Sequence, residues 1–352
     1  MSSPQSRSWR RLALAFAAVG LGLLGCLSYV SSEFGNSRAL QKFSGTVMGS
    51  EYTLILIPNG SFDPAAAHQA ACAKLTRTDA LMSTYREDSD VSRINCAAPG
   101  EWVPVASETL RVIQAARQVG ERSEGFYDIT LGPLIDLWGF GPHHRPATAP
   151  PEAEIEEALK NVGWGGLELQ SAPPAVRRLA AGVAVDLSSI AQGFAVDEAA
   201  AALELLGVTD YCLDLSGDVR ALGRNARGRP WQIAIESPRE DRLQAQRVVS
   251  VSGMSLTTSG DYRNYFEEAG LRYSHIIDPH TGHPITHRLA SVTVVAPSCL
   301  HADAWDTALL AAGPDAGLAL AEREQLAAFF IVRTRDGFEE RQTSRFSLLN
   351  PH

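Results

Sequence analysis

The spacing of apolar and polar positions changes several times along the chain, and each spacing predicts a different element. From Phe43 to Pro58 apolar and polar residues alternate, which predicts a strand interrupted at Met48-Gly49-Ser50. Asp63-Pro64 is a typical helix start, with Asp as the cap and Pro in the first turn, and predicts a helix to about Met82. Further helices are predicted over 107–123, 151–162, 188–207 and 300–312.

Short strand-like runs occupy most of the second half of the chain. The predicted strands cover 211–215, 231–235, 248–251, 255–258, 273–277, 289–295, 327–332 and 338–342, and a hairpin over 176–186 is expected to turn at Ala181-Gly182. Strands that arrive in runs and are joined by short turns favour an α+β fold with largely antiparallel sheets. The sequence contains neither G-x-G-x-x-G nor G-x-x-x-x-G-K-[ST], so neither a Rossmann nor a P-loop phosphate site is supported.

The first 26 residues have the pattern of an export signal. Arg7, Arg10 and Arg11 precede a short apolar run from Leu12 to Leu24, and Leu23-Leu24-Gly25-Cys26 resembles a bacterial lipobox. We therefore expect residues 1–26 to be a signal peptide ending at a lipidated Cys26, residues 27–42 a tether, and residues 43–347 the functional domain. The alternative is an uncleaved N-terminal anchor. Either interpretation places the bulk of the chain outside the cytoplasm.

Composition narrows the classes of partner. The 352 residues are 45% hydrophobic and 20% charged, which is enough for a well-buried core. The formal net charge of −9 argues against a nucleic-acid partner, which would need a basic face. Without Cys26, four cysteines remain, and the absence of a C-x-x-C pair argues against a zinc cluster. Cys72 and Cys299 lie in helical patterns and are most simply interpreted as small buried residues.

Three loop segments combine glycine, aromatic and acidic residues. Tyr85 follows a helix end, where it could stack on a flat ring or simply lie in solvent. Phe126, Tyr127 and Asp128 lie in a glycine-rich stretch that could contact a planar ligand or form a packed turn. Asp186, in a run that continues through two serines into a helix, could mark a phosphate or ribose site or belong to an ordinary helix cap.

Two further segments carry polar groups beside apolar runs. Asp306 and Thr307 lie three and four positions after Asp303 in an apolar helix, so their oxygens share a face with those of Asp303. Such oxygens suit a hard cation such as Mg²⁺, although a capped or paired aspartate is the alternative. His275, with Asp278 three positions later, could act as a general base or be structural.

Taken in order, these segments resemble the ApbE family of FAD:protein FMN transferases over about residues 43 to 345. The resemblance implies a T-fold-like, two-lobed single domain of α+β type, with FAD between the lobes and Mg²⁺ near its pyrophosphate. It also implies roles for individual residues. FAD contacts are expected from Met48, Tyr85, Phe126, Tyr127, Asp128, Asp186, Gln192 and Ile277, and metal contacts from Ser189, Asp303, Asp306 and Thr307.

The activity implied by the resemblance is Mg²⁺-dependent transfer of FMN from FAD to a threonine hydroxyl, with release of AMP. The implied acceptor carries a Ser/Thr-Gly-Ala-Thr motif and is a subunit of a membrane redox complex. The enzyme would then act at the periplasmic face of a bacterial membrane, with the inner membrane favoured. Hydrolysis of FAD to FMN and AMP, and non-catalytic binding of FAD by a lipoprotein, are the alternatives. His275 is the expected base.

Overall fold

The computed structural model describes residues 38–142, 148–239 and 244–349, so the signal segment and Cys26 lie outside the described residues. Its first two strands form a hairpin whose two-residue turn is Met48-Gly49. Both turn residues have positive φ, +53° for Met48 and +69° for Gly49. This is the conformation that a type I′ hairpin turn requires. The interruption predicted in the first strand is therefore a turn.

The described residues form nine α-helices and fifteen strands. In chain order these are β1 Gln41–Val47, β2 Ser50–Leu56, α1 Pro64–Met82, α2 Asp90–Cys96, β3 Val103–Pro104, α3 Ser107–Arg122, α4 Gly132–Leu137, α5 Glu152–Leu159, β4 Leu167–Ser171, β5 Pro174–Arg178, α6 Ala191–Leu205, β6 Tyr211–Leu215, β7 Asp218–Leu222, β8 Trp231–Glu236, β9 Ala245–Val251, β10 Met254–Gly260, β11 Tyr265–Glu268, β12 Leu271–Ser274, β13 Leu289–Ala296, α7 Cys299–Ala312, α8 Ala316–Arg323, β14 Ala327–Thr334, β15 Gly337–Gln342 and α9 Ser344–Ser347.

Eight of the strands form one antiparallel sheet in the order β1-β2-β6-β7-β10-β13-β14-β15. A three-stranded sheet, β3-β5-β4, and the hairpins β8–β9 and β11–β12 complete the strand pairing. The α+β fold with largely antiparallel sheets is confirmed.

The main sheet separates two apolar layers. On one face, Leu213 of β6 packs in a cluster with residues of α1 and α6. On the other face, the neighbouring Cys212 belongs to a cluster with Trp231 and Val249 of the β8–β9 hairpin. Successive residues of a strand point to opposite faces, so each strand contributes to both layers. Helices α1 and α6 therefore cover one side of the sheet, and the β8–β9 hairpin and the short helix α9 cover the other.

Two sequence predictions are wrong in position. The hairpin expected over 176–186 is instead β4–β5, in which Ser171 pairs with Pro174 across a tight turn. The turn is at Ala172-Pro173, because proline favours turns, and the buried residue Val185 lies outside any strand. Helix α6 begins at Ala191 without a side-chain cap, so neither Ser188 nor Ser189 opens it.

Within the described ranges, no helix combines the length and apolarity that a bilayer crossing requires.

Candidate functional site

The segment that precedes α6 is joined to the glycine-rich aromatic loop by a pair of hydroxyl groups. The phenol oxygen of Tyr127 lies 3.0 Å from Ser189 Oγ and donates to the Ser189 carbonyl at 3.4 Å. Tyr127 is buried, and burial raises the pKa of its phenol well above the ordinary value. It therefore remains a neutral hydrogen-bonding group, and it fixes the backbone just before the helix.

Helices α6 and α7 meet at a glycine and a carboxylate. The N–H of Gly193 donates to Asp303 Oδ2 at 2.9 Å. A Cβ at position 193 would lie 2.6 Å from the Cys299 carbonyl and 2.7 Å from Asp303 Cβ, so only glycine permits this approach. The bond from Gly193 is the one hydrogen bond that the carboxylate of Asp303 makes among the described residues, and it uses only Oδ2. The contact thus positions Asp303 and leaves one of its oxygens available.

One turn further along α7, a second carboxylate contacts strand β10. Ser259 Oγ donates to Asp306 Oδ1 at 2.8 Å and lies 3.1 Å from Thr307 Oγ1. These contacts bring a carboxylate and two hydroxyl groups together. Asp306 and Thr307 thus share a contact with β10, which supplies the additional hydroxyl, whereas Asp303 contacts α6.

The carboxylates of this region are buried beside one another. Burial raises the pKa of Asp303 to about 7. Burial and then the neighbouring Asp303 raise the pKa of Asp306 well above its ordinary value. For Asp218, at the start of β7, burial followed by the charges of Asp303 and Asp306 has the same effect. A buried carboxylate is costly to ionise without a positive partner, so this cluster favours either protons or a cation.

The chemistry of these donors fits Mg²⁺, which prefers carboxylate and other oxygen ligands. Asp303 has an available carboxylate oxygen, and Asp306 and Thr307 present oxygens on the same helix. Among the described residues, no group of three or more His, Cys, Asp or Glu side chains is arranged to hold a metal ion. The set predicted from sequence contains only two such side chains, with a hydroxyl and a carbonyl as the remaining donors.

The β1–β2 hairpin also reaches this junction. Gln192 Nε2 donates to Ser50 Oγ at 3.0 Å, which links the first turn of α6 to the hairpin. Met48, at the tip of the hairpin, is partly buried and packs against both the α1–α6 cluster and the cluster that contains α7. Met48 and Gln192, predicted from distant segments, are thus brought to the same side of the molecule.

Two aspartates of the predicted ligand set shape their own loops. Asp128 Oδ1 accepts from Thr130 N at 2.7 Å and from Thr130 Oγ1 at 2.6 Å. Asp186 Oδ1 accepts from Ser188 N at 2.7 Å. The two loops are joined directly, since Asp186 N donates to the Ile129 carbonyl at 2.8 Å. Burial raises the pKa of both carboxyl groups.

The aromatic residues of the predicted set differ in exposure. Tyr85 is 69% exposed, as expected for a ring available to stack on a ligand. Desolvation and then the charges of Asp186 and Asp136 raise the pKa of its phenol. Phe126 is partly buried, and its ring meets that of His280 edge-on at 4.7 Å.

His275 and Ile277 follow strand β12. His275 Nδ1 lies 2.9 Å from the Asn264 carbonyl, and burial lowers the pKa of the imidazole. Ile277 is buried, and its backbone is held in place by an isolated antiparallel bridge with Pro284. No contact in the described residues joins His275 to the Asp303 cluster directly.

Three residues at the junction were not assigned roles from sequence. Ser259 contacts α7 only because strand β10 is paired beside that helix, and the sequence does not reveal this pairing. Gly193 lies in no turn that would indicate a need for glycine. Glycine is required there because helix α7 packs closely against this position. Asp218 follows the Ser216-Gly217 turn, and nothing local indicates that it is buried beside Asp303.

Comparison with known proteins gives consistent matches over most of the chain. The model described as ApbE family matches residues 48–330, which include every segment that meets at α6 and α7. A Vibrio cholerae protein named FAD:protein FMN transferase is 40% identical over 304 residues, covering 86% of this chain and 90% of that protein. A Haemophilus influenzae protein of the same name is 39% identical over 312 residues, covering 87% and 90% respectively. The apo crystal structure of the Pseudomonas stutzeri flavinyl transferase ApbE has a TM-score of 0.82 at 40% identity, covering 91% of this chain and 98% of that one.

Proposed function

We propose a reaction for this chain on the basis that it belongs to the ApbE family and is an FAD:protein FMN transferase. The proposal is that it transfers the FMN half of FAD to a threonine hydroxyl of an acceptor protein, requires Mg²⁺ and releases AMP. One observation carries it. Two buried carboxylates, Asp303 and Asp306, lie on the helix that packs against the start of α6, and no described side chain forms a salt bridge with either of them.

Four oxygen donors are proposed to hold the cation: Ser189 through its carbonyl, Asp303, Asp306 and Thr307. Bound there, Mg²⁺ would supply positive charge to the pyrophosphate oxygens as negative charge develops on them. The chain itself supplies position. The Gly193 N–H orients Asp303, and Ser259 orients Asp306 and Thr307. Positioning and electrostatics supply most of the acceleration in phosphoryl transfer.

His275 is the proposed base. Because the Asn264 carbonyl can only accept, the Nδ1 contact at 2.9 Å assigns the ring proton to Nδ1 and leaves a lone pair on Nε2. The lowered pKa keeps the ring neutral near pH 7. In the proposed step, Nε2 takes the proton of the acceptor hydroxyl while its oxygen bonds to the FMN phosphorus. The bond from that phosphorus to the bridging oxygen breaks, and AMP leaves with that oxygen and its electron pair.

The proposed FAD site lies around the start of α6. The exposed ring of Tyr85 supports stacking on the adenine, and the unusual backbone of Met48 supports a role for its side chain beside the flavin. Other contacts are proposed for Phe126, Tyr127, Asp128, Asp186, Gln192 and the backbone of Ile277. Tyr127 and Gln192 already make hydrogen bonds within the protein, so they are also expected to keep the site in shape.

The acceptor and the location belong to the same proposal. The acceptor is a protein with a Ser/Thr-Gly-Ala-Thr motif, a subunit of a membrane redox complex. The enzyme would be attached through lipidated Cys26 to the periplasmic face of a bacterial membrane, with the inner membrane favoured. This part is supported by the lipobox-like sequence, which lies outside the described residues.

The decisive experiment is mass spectrometry of a peptide or subunit carrying the motif, incubated with this protein, FAD and Mg²⁺. A mass gain of one FMN, lost when a chelator is added or when the motif threonine is replaced by valine, is the expected result. AMP formation with an unmodified acceptor would instead favour hydrolysis. If FAD binds and no AMP forms, the result would favour non-catalytic binding of FAD.

A further inference from the structure

Three side chains with metal-binding atoms converge between strand β2 and helix α1, in a cluster formed by Tyr52, His68 and Cys72. The phenol oxygen of Tyr52 lies 2.9 Å from His68 Nε2 and 2.9 Å from Cys72 Sγ. Cys72 Sγ lies 3.1 Å from His68 Nε2, which closes a triangle. None of these residues has a role in the proposed transfer reaction, and Cys72 is half-buried rather than fully buried as the sequence suggested.

Hydrogen bonds cannot form along all three sides of this triangle when the three groups are neutral. If the ring proton is on Nδ1, only the phenol and the thiol bring protons to the three contacts. If it is on Nε2, that nitrogen has no lone pair to accept from either neighbour. In both tautomers at most two of the three contacts contain a hydrogen bond. Burial lowers the pKa of His68, which disfavours the doubly protonated ring.

The surroundings hold all three donors in place. His68 and Cys72 are four positions apart on α1, so they share one helix face. The Phe43 ring stacks on the His68 ring at 4.3 Å with the planes 13° apart. The Tyr52 ring lies over Gly45, where a Cβ would be only 2.8 Å from its atoms. The donors are therefore fixed before any ligand binds, which lowers the entropy cost of binding.

We propose that Tyr52, His68 and Cys72 bind one divalent transition-metal ion of the Zn²⁺ type, separate from the oxygen site of the transferase. The imidazole nitrogen and the cysteine thiolate are the two strong ligands, the phenol oxygen is the third, and water completes a tetrahedron. Binding releases the thiol proton to solvent. The ion replaces the missing hydrogen bond, since all three lone pairs then point at one positive centre.

The donor types decide the class of ion. Thiolate and imidazole are typical ligands of Zn²⁺, Co²⁺ and Cu²⁺, whereas Mg²⁺ prefers oxygen donors. Zn–S and Zn–N bonds of about 2.3 and 2.0 Å place sulfur and nitrogen roughly 3.5 Å apart in a tetrahedron. The Cys72 and His68 atoms need to separate by only a few tenths of an ångström to reach that geometry. The bound ion would tie α1 to the hairpin that carries Met48.

The test is a titration of the reduced full-length protein with Co²⁺, followed by near-ultraviolet absorption. A thiolate ligand gives a charge-transfer band in that region, which oxygen ligands do not give. We expect the band to saturate at one equivalent and to disappear when Zn²⁺ is added. Cys72→Ser should abolish it, and His68→Gln should weaken Co²⁺ binding by about tenfold or more.

Two controls separate this site from others. Cys96→Ser removes an exposed thiol that has no imidazole contact and should leave the band unchanged. Asp303→Asn should also leave it unchanged, since the transferase site offers only oxygen donors. Absence of the band in the wild type, or its persistence in Cys72→Ser, overturns the proposal. If Cys72→Ser has a lowered melting temperature without metal, the Co²⁺ affinity of His68→Gln becomes the test. An undiminished Co²⁺ affinity in His68→Gln overturns the proposal.

Discussion

The N–H of Gly193 donates to the carboxylate of Asp303 at 2.9 Å, and this bond holds the first turn of α6 against the second turn of α7. The two helices can approach this closely because position 193 has no side chain. A backbone group thus orients a carboxylate from a segment more than one hundred positions away.

Gly193→Ala should therefore damage both the fold and the site. The added methyl group would press on the Cys299 carbonyl and on Asp303, and overpacking of this kind costs about 1–3 kcal/mol of unfolding free energy. We expect denaturant unfolding to show that loss, together with weaker Mg²⁺-dependent transfer. Gly165→Ala is the matched control, because nothing lies within 4 Å of a Cβ at position 165. Equal stability of both variants would contradict the tight helix contact.

Asp303→Asn should remove most of the Mg²⁺-dependent transfer while the protein remains folded. Asparagine has nearly the same shape but lacks the charge that holds the cation, and metal catalysis contributes several kcal/mol to transition-state stabilisation. We expect the rate of FMN transfer to fall at least about hundredfold, measured by mass spectrometry of the acceptor. Asp88→Asn, at an exposed carboxylate, should have no effect. Full activity in Asp303→Asn would refute the metal assignment.

The stability of the metal-free protein should fall as the pH rises from about 4 to about 7. The pKa of Asp303 is raised from 3.8 to about 7. Between these values the folded protein binds more protons than the unfolded chain, so the free energy of unfolding decreases with pH. Mg²⁺ binds the ionised carboxylate, so it should raise the melting temperature more at pH 8 than at pH 6. The opposite order would exclude Asp303 as a ligand.

His275→Gln should lower kcat about 10²- to 10⁴-fold, the usual contribution of a general base. It should leave the KM for FAD nearly unchanged. Because the pKa of His275 lies below its ordinary value of 6.5, protonation of its ring should lower wild-type activity only at pH values below 6.5, when activity is measured at Mg²⁺ concentrations that keep Asp303 ionised. The variant should lose that acidic limb. His283→Gln, at a partly exposed ring paired with Glu152, serves as the control. A retained limb in His275→Gln would assign the titration to another group.

Cys26→Ser should release the protein from bacterial membranes. Lipidation requires the cysteine thiol, whereas an uncleaved apolar anchor does not. Fractionation of cells that express the two forms, followed by detection of the protein in the soluble and membrane fractions, measures the effect. Unchanged membrane retention of Cys26→Ser would favour the uncleaved anchor.

Regular elements were largely predictable because their signals are local. The helix starting after Asp63 has both its cap and its proline in the predicted places, and strands such as Tyr211–Leu215 follow directly from their apolar runs. The start of α6 was misplaced because Ser189 resembles a helix cap. Its hydroxyl instead lies against Tyr127, sixty-two positions earlier, in a contact that no local pattern encodes.

The same distinction applies to the sites. Asp303, Asp306 and Thr307 could be grouped from sequence because helical spacing places them together. The triangle of Tyr52, His68 and Cys72 could not be grouped, although His68 and Cys72 have helical spacing. Its third member comes from β2, and its position depends on how β2 packs against α1.

The left-handed turn at Met48 limits how this position can vary among related sequences. At φ of +53°, a side chain branched at Cβ would clash with its own backbone. Valine, isoleucine and threonine should therefore be rare at this position whatever the protein binds. Glycine and asparagine would satisfy the turn but would not supply a long apolar side chain. Variation at position 48 should thus be confined to a few residues that are unbranched at Cβ. A survey of related natural sequences would test this restriction.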